Sequence, residues 1–136
     1  MANKPQLLPM AMATAALILW VCSLFLTGLV LYSRQETLSG LNILAMGWLS
    51  PLMLNFAWFA NVFFLYSAVA LLSGGIPLKT SVLAVLLSFD TARFNQYLLN
   101  EGGATTPIYG YGWGAVLWFA AIFLMLAAVG ACRRQL

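Results

Sequence analysis

The sequence contains no histidine and is poor in charge, with 6 Lys+Arg and 3 Asp+Glu among 136 residues. A soluble domain carries about 25% charged residues, and a chain this short needs a large polar surface to stay in water. Charge this scarce excludes a cytosolic enzyme, a disordered tail and a nucleic-acid binder. The lack of histidine removes the commonest metal ligand, the usual general base and haem ligation by imidazole. No metal and no cofactor is expected. Cysteine is equally sparse: Cys22 and Cys132 lie near opposite ends of the chain. Two cysteines make no disulfide framework, which excludes a small secreted scaffold, and each reads as a small buried hydrophobe. Apolar residue is what the chain has in abundance. The hydrophobic fraction of 63% and the mean hydropathy of +0.94 point to a polytopic membrane protein with the lipid bilayer as its solvent.

A hydrocarbon core about 30 Å thick needs about 20 apolar residues at 1.5 Å per residue. Four stretches meet that length, at about 7–32, 52–73, 76–99 and 111–131. They predict one all-α domain, a four-helix transmembrane bundle with short loops. The first stretch follows Lys4 and resembles a signal peptide only in that basic start. Its apolar run is longer than a signal core of about 7–15 residues, so it reads as a retained helix. With the N-terminus inside, Lys4, Lys79, Arg133 and Arg134 fall on the cytoplasmic side. Arg34, Glu36, Asp90, Arg93 and Glu101 fall outside. The basic bias favours this orientation, with both termini cytoplasmic.

In the first outer loop, Leu38, Leu41, Leu44 and Trp48 recur at helical spacing. The pattern predicts a short helix lying in the outer interface, with Pro51 opening the second span. In the last outer loop, Gly102, Gly103 and Pro107 mark a turn. Gly110 and Gly114 form a G-x-x-x-G, continued by Ala121 and Ala128, which favours close packing of the last helix on a neighbour.

The polar residues inside apolar stretches are the candidate binding residues: Asn55, Asn61, Asp90, Arg93 and Asn95. A carboxamide in hydrocarbon costs free energy unless hydrogen-bonded, so Asn55 and Asn61 should face the interior, Asn61 near mid-membrane. Ser81, Ala84, Ser88, Thr91 and Asn95 form a seam of small, weakly polar residues along one helical face, as helices use to associate in lipid. Asp90, Arg93 and Tyr97 lie on the opposite face. Asp90 and Arg93 form an i,i+3 pair, and losing Arg93 alone should cost more than losing both. An ionisable pair at this depth marks either headgroup solvation or a functional site. No catalytic constellation is present, so the chain reads as a non-enzyme.

Gly47-Trp48, the run from Asn55 to Asn61 (Asn-Phe-Ala-Trp-Phe-Ala-Asn), and Tyr109-Gly-Tyr-Gly112 before a tryptophan-containing last helix resemble a group of short four-helix bacterial inner-membrane proteins of unassigned function. That resemblance implies a bacterial inner membrane and four spans, and it brings no functional residue with it. The expected function is binding of another membrane component, as an immunity protein or a small accessory subunit does, by contact with a membrane-protein partner or a second copy of the chain. The alternative is a small oligomeric transporter or channel with a polar path near Asn61 and Asp90. The two differ in whether the Asp90–Arg93 face meets a partner or lines a water-filled cleft.

Overall fold

A computed structural model of the protein describes residues 7–32, 36–98 and 102–134. The chain forms α1 (Leu7–Phe25), β1 (Thr27–Leu31), β2 (Thr37–Ser39), α2 (Gly40–Met46), a 3-10 segment at Gly47–Met53 and another at Ala57–Phe59. It continues with α3 (Ala60–Leu72), α4 (Leu78–Ser88), a 3-10 turn at Phe89–Arg93, β3 (Gln96–Leu98), β4 (Thr105–Tyr111) and α5 (Trp113–Arg134).

The long helices pack through small side chains. The buried positions of α1 are Pro9, Ala13, Ala16, Trp20 and Ser23, alternating by three and four along one stripe. That stripe lies along α5, which buries Gly114, Ala121 and Ala128 together with the larger Ile122, Met125 and Val129. Small residues on facing helices let the backbones approach closely, which maximises dispersion contacts where lipid removes the hydrophobic drive. The stripe expected on α5 is therefore a packing face. The seam on α4 holds at Ser81, Ala84 and Ser88, all buried, and ends with the helix: Asn95 is exposed. The Ser81 and Ser88 hydroxyls bond back to the carbonyls of Leu78 and Val85 in their own helix.

The architecture is not the all-α four-helix transmembrane bundle that hydropathy suggests. The structure contains a four-stranded antiparallel sheet in the order β2-β1-β4-β3. Among the described residues only α1 and α5, of 19 and 22 residues, are long and apolar enough to cross a membrane. α3 and α4 have 13 and 11 residues, or roughly 20 and 17 Å of helix against a core of about 30 Å. The apolar run from Leu7 to Tyr32 is thus two elements. Its helix stops at Phe25, before Thr27-Gly28, a β-branched residue and the weakest ordinary helix former in sequence. Leu29 and Val30 then pair with both β2 and β4, and Leu31 with β4.

Each loop at this end supplies one hairpin, β1–β2 and β3–β4, and the hairpins join where β1 meets β4. A short helix, α2, does occupy the first loop, but it follows a strand and covers the sheet. Leu29, Leu31 and Tyr97 form a second, small core with Leu38, Ile43, Phe94 and Ile108 packed against it.

All four principal helices meet the sheet region at one end. Gly40 N–H donates to the Leu26 carbonyl and Gly112 N–H to the Gly28 carbonyl, which ties the ends of α1 and β1 to the starts of α2 and α5. At the other end the Ser67 and Thr80 hydroxyls lie 2.8 Å apart, joining α3 to α4 near their turn. Lys79, Arg133 and Arg134 belong to this far end. Glu36, Asp90 and Arg93 belong to the sheet end. Of the other charges used to orient the chain, Lys4, Arg34 and Glu101 lie outside the described residues.

Candidate functional site

Asn61 is the polar centre of the molecule. It occupies the first turn of α3, near the sheet end rather than mid-span, and is buried. Its Oδ1 accepts two indole N–H groups, from Trp20 of α1 at 2.9 Å and Trp118 of α5 at 2.7 Å. Its Nδ2 donates to the Trp58 carbonyl at 2.9 Å. One carboxamide thus links three helices and satisfies two indoles that have few other acceptors in so apolar an interior. Trp20 also stacks on Phe64 at 6.0 Å. Trp58 reaches the other way, donating from Nε1 to the Leu44 carbonyl of α2.

The second cluster gathers Asn55, Asp90 and Arg93 at the corner between the 3-10 segments and the end of α4. Leu54, in the left-handed region at φ 55°, turns the chain so that Asn55 enters the interior. Asn55 Nδ2 donates to the Asp90 carbonyl at 2.8 Å, and its Oδ1 accepts from Ala57 N–H at 3.1 Å. The Asp90 carboxylate divides its oxygens. Oδ2 accepts from Phe56 N–H at 2.7 Å, and Oδ1 pairs with Arg93 Nη1 at 3.1 Å. Asn95 does not join them: its carbonyl accepts from Ile108 N–H in the hairpin and its side chain lies at the surface. Tyr97 is not on a helical face with Asp90 but buried in β3.

The Asp90 side chain is only 14% exposed, whereas Arg93 is 71% exposed. This overturns the expected ranking of the pair. A surface ion pair contributes about 0–1 kcal/mol, and a hydrogen bond from a backbone N–H to a carboxylate about 1.5–3 kcal/mol. Arg93→Leu should therefore lower stability by less than about 1 kcal/mol. Asp90→Leu should cost about 2 kcal/mol, and the double variant should match Asp90→Leu rather than recover. Unfolding in detergent, followed by circular dichroism, checks the order.

A cavity of about 100 Å³ lies between these clusters and the inner face of the sheet. Asn55, Asn61 and Thr91 border it, while Asp90 and Arg93 do not. The Tyr111 hydroxyl closes one side by donating to the Thr91 and Phe94 carbonyls at 2.9 and 3.1 Å. Burial raises the pKa of Tyr97 and of Tyr111 above the ordinary 10.0. A phenol whose folded pKa is raised contributes stability that is complete below pH 10 and is lost as pH rises through the raised value. The melting midpoint should thus fall above pH 10, and fall less steeply in a Tyr97→Phe, Tyr111→Phe double variant.

Sequence reasoning found Asn55, Asn61 and Asp90 but missed Trp20, Trp58 and Trp118. An indole N–H within an apolar run demands an acceptor, and the asparagines were the strongest acceptors on offer. Cys22 was also misread: it is exposed on α1, while Cys132 is buried. Among the described residues no group of three or more His, Cys, Asp or Glu could hold a metal ion.

The fold and site define a mixed α/β class, in which two long apolar helices and a shorter helical pair are closed at one end by an antiparallel sheet. Comparison of the chain with protein-family models, curated proteins and solved structures returns no match.

Proposed function

We propose that the chain is a non-enzymatic integral membrane protein, of accessory-subunit or immunity type, that binds another membrane component through the end carrying the sheet. One observation supports binding over transport. The carboxamides that a polar path would need are spent on the fold: Asn61 on two indoles and a carbonyl, Asn55 on a carbonyl and an N–H. At the sheet end the Arg93 guanidinium is exposed and the Tyr32 and Tyr109 rings stand 5.9 Å apart, 69% and 73% exposed. Aromatic and arginine side chains are the usual anchors of protein contacts.

In this reading α1 and α5 cross a bacterial inner membrane. Lys79, Arg133 and Arg134 face the cytoplasm, as the basic bias requires, and the sheet faces outward. A photo-crosslinking residue at Tyr109 in native membranes tests it. A discrete protein adduct at position 109, with none at the exposed helical position Leu86, is expected. Solute or ion flux in proteoliposomes that Asn61→Leu alters, with no adduct at 109, would favour transport.

A further inference from the structure

The end of the molecule opposite the sheet carries charge of one sign. Lys79, in the first turn of α4, and Arg133 and Arg134, in the last turn of α5, are all exposed. The described acids, Glu36 and Asp90, both lie at the sheet end. The three cations also share a level. α4 and α5 pack against each other in opposite directions, with the Phe89 and Phe123 rings 5.9 Å apart. Lys79 lies ten residues before Phe89, and Arg133 and Arg134 lie ten and eleven after Phe123. Each is therefore roughly 15–17 Å of helix from that ring contact, towards the same end. Two of the principal helices begin at this end and two finish there, so their partial end charges offset one another and the side chains set the field.

Lys79 and Arg134 each end an outward apolar stripe. On α4, Lys79 is followed at helical spacing by Val82, Leu83 and Leu86, all exposed. On α5 the outward positions Ala120, Phe123, Ala127, Gly130 and Arg134 alternate by threes and fours. A Cβ on Gly130 would meet no atom of the described residues within 4 Å, so a notch opens one turn before Arg134. We propose that this end binds one phospholipid of net negative headgroup, its phosphate held among Lys79, Arg133 and Arg134 and an acyl chain lying along the α4–α5 surface into the notch. Charge complementarity names the occupant: clustered cations at a helix end attract anionic headgroups, and the ammonium of a zwitterionic headgroup would find no carboxylate there among the described residues. The proposal rests on the reading that α1 and α5 cross a membrane, because only then do these stripes meet acyl chains.

Dioleoylphosphatidylglycerol and dioleoylphosphatidylcholine are the probes, equal in acyl chains and different in headgroup charge. Each is titrated into the full chain in a neutral detergent, and native mass spectrometry counts the lipids retained. Phosphatidylglycerol should bind saturably, one per chain, and more tightly than phosphatidylcholine. Lys79→Gln and Arg134→Gln should each weaken it about fivefold, the share of one cation near an anionic headgroup. Gly130→Leu, which fills the notch, should weaken it without removing a charge. Arg93→Gln, which removes a cation from the sheet end, should leave it unchanged. All four positions lie at the surface or beside open space, and circular dichroism confirms that each variant folds. Equal retention of the two lipids would overturn the proposal. So would an Arg93→Gln loss as large as that of Lys79→Gln, which would mean diffuse attraction, or displacement of phosphatidylglycerol by millimolar inorganic phosphate, which would mean an anion site without a lipid. Micelles impose no sidedness, so failure here leaves the crossing of α1 and α5 to be judged separately by cysteine accessibility.

Discussion

Asn61→Leu should lower stability by about 2–4 kcal/mol, because it strands two indole N–H groups, one buried and one part-buried, and frees one carbonyl. A single interhelical hydrogen bond in a membrane protein contributes only about 0.6–2 kcal/mol, which is what one asparagine bonded once would give. Here three bonds converge on one side chain, and leucine offers none. Asn61→Asp should be milder toward the indoles, since a carboxylate still accepts both, but it loses the donor to Trp58 and buries a charge. A cycle with Trp118→Phe separates the terms. If the damage comes from the stranded indole, Trp118→Phe should cost less in the Asn61→Leu background than in the wild type. Chemical unfolding in detergent, monitored by near-ultraviolet circular dichroism, measures all four corners.

The second large effect belongs to glycines at the junction between helices and sheet. A Cβ on Gly112 would run into the Thr27 carbonyl oxygen, and one on Gly40 into the Ser23 carbonyl oxygen. Both obstacles are backbone held in hydrogen-bonded structure, so neither can step aside cheaply. At Gly28 the nearest atom is the Ile43 Cδ1 at 2.5 Å, the end of a flexible side chain. Gly112→Ala and Gly40→Ala should therefore each cost about 3 kcal/mol, the upper end of overpacking penalties, and Gly28→Ala about 1 kcal/mol. Equal effects at all three positions would show that the junction is looser than drawn. Thermal melting of the three variants in one detergent gives the comparison.

Hydropathy located the helical stretches because burial in lipid or in a protein core leaves the same local mark. It misjudged their ends, because pairing between strands leaves almost none. Thr27–Leu31 finds its partner in Thr105–Tyr111, about 80 residues away, and is as apolar as the helix α1 that it follows. Length was the available clue: 26 uninterrupted residues from Leu7 to Tyr32 exceed one ordinary span. The same gap explains the site. Asn61 was legible as a buried, bonded amide, since hydrocarbon leaves it no other option. Its partners were not legible, because Trp20, Asn61 and Trp118 converge only through the packing of three helices. Asp90 and Arg93 were legible as a pair by their spacing, but a helical wheel continued past Ser88 placed Tyr97 and Asn95 on faces that do not exist. The bond from Phe56 N–H to Asp90, which decides which member of the pair matters more, involves backbone and leaves no trace in residue identity.

The central claim is that one end of the molecule, the sheet, faces outward from a membrane that the long helices cross. Cysteine accessibility tests it most directly, in a Cys22→Ser, Cys132→Ser background that removes the native thiols. An impermeant maleimide applied to intact cells should label Tyr109→Cys, on the exposed sheet, and should label Lys79→Cys, at the start of α4, only after permeabilisation. Labelling of both positions in intact cells, or of Lys79→Cys alone, would contradict the claim.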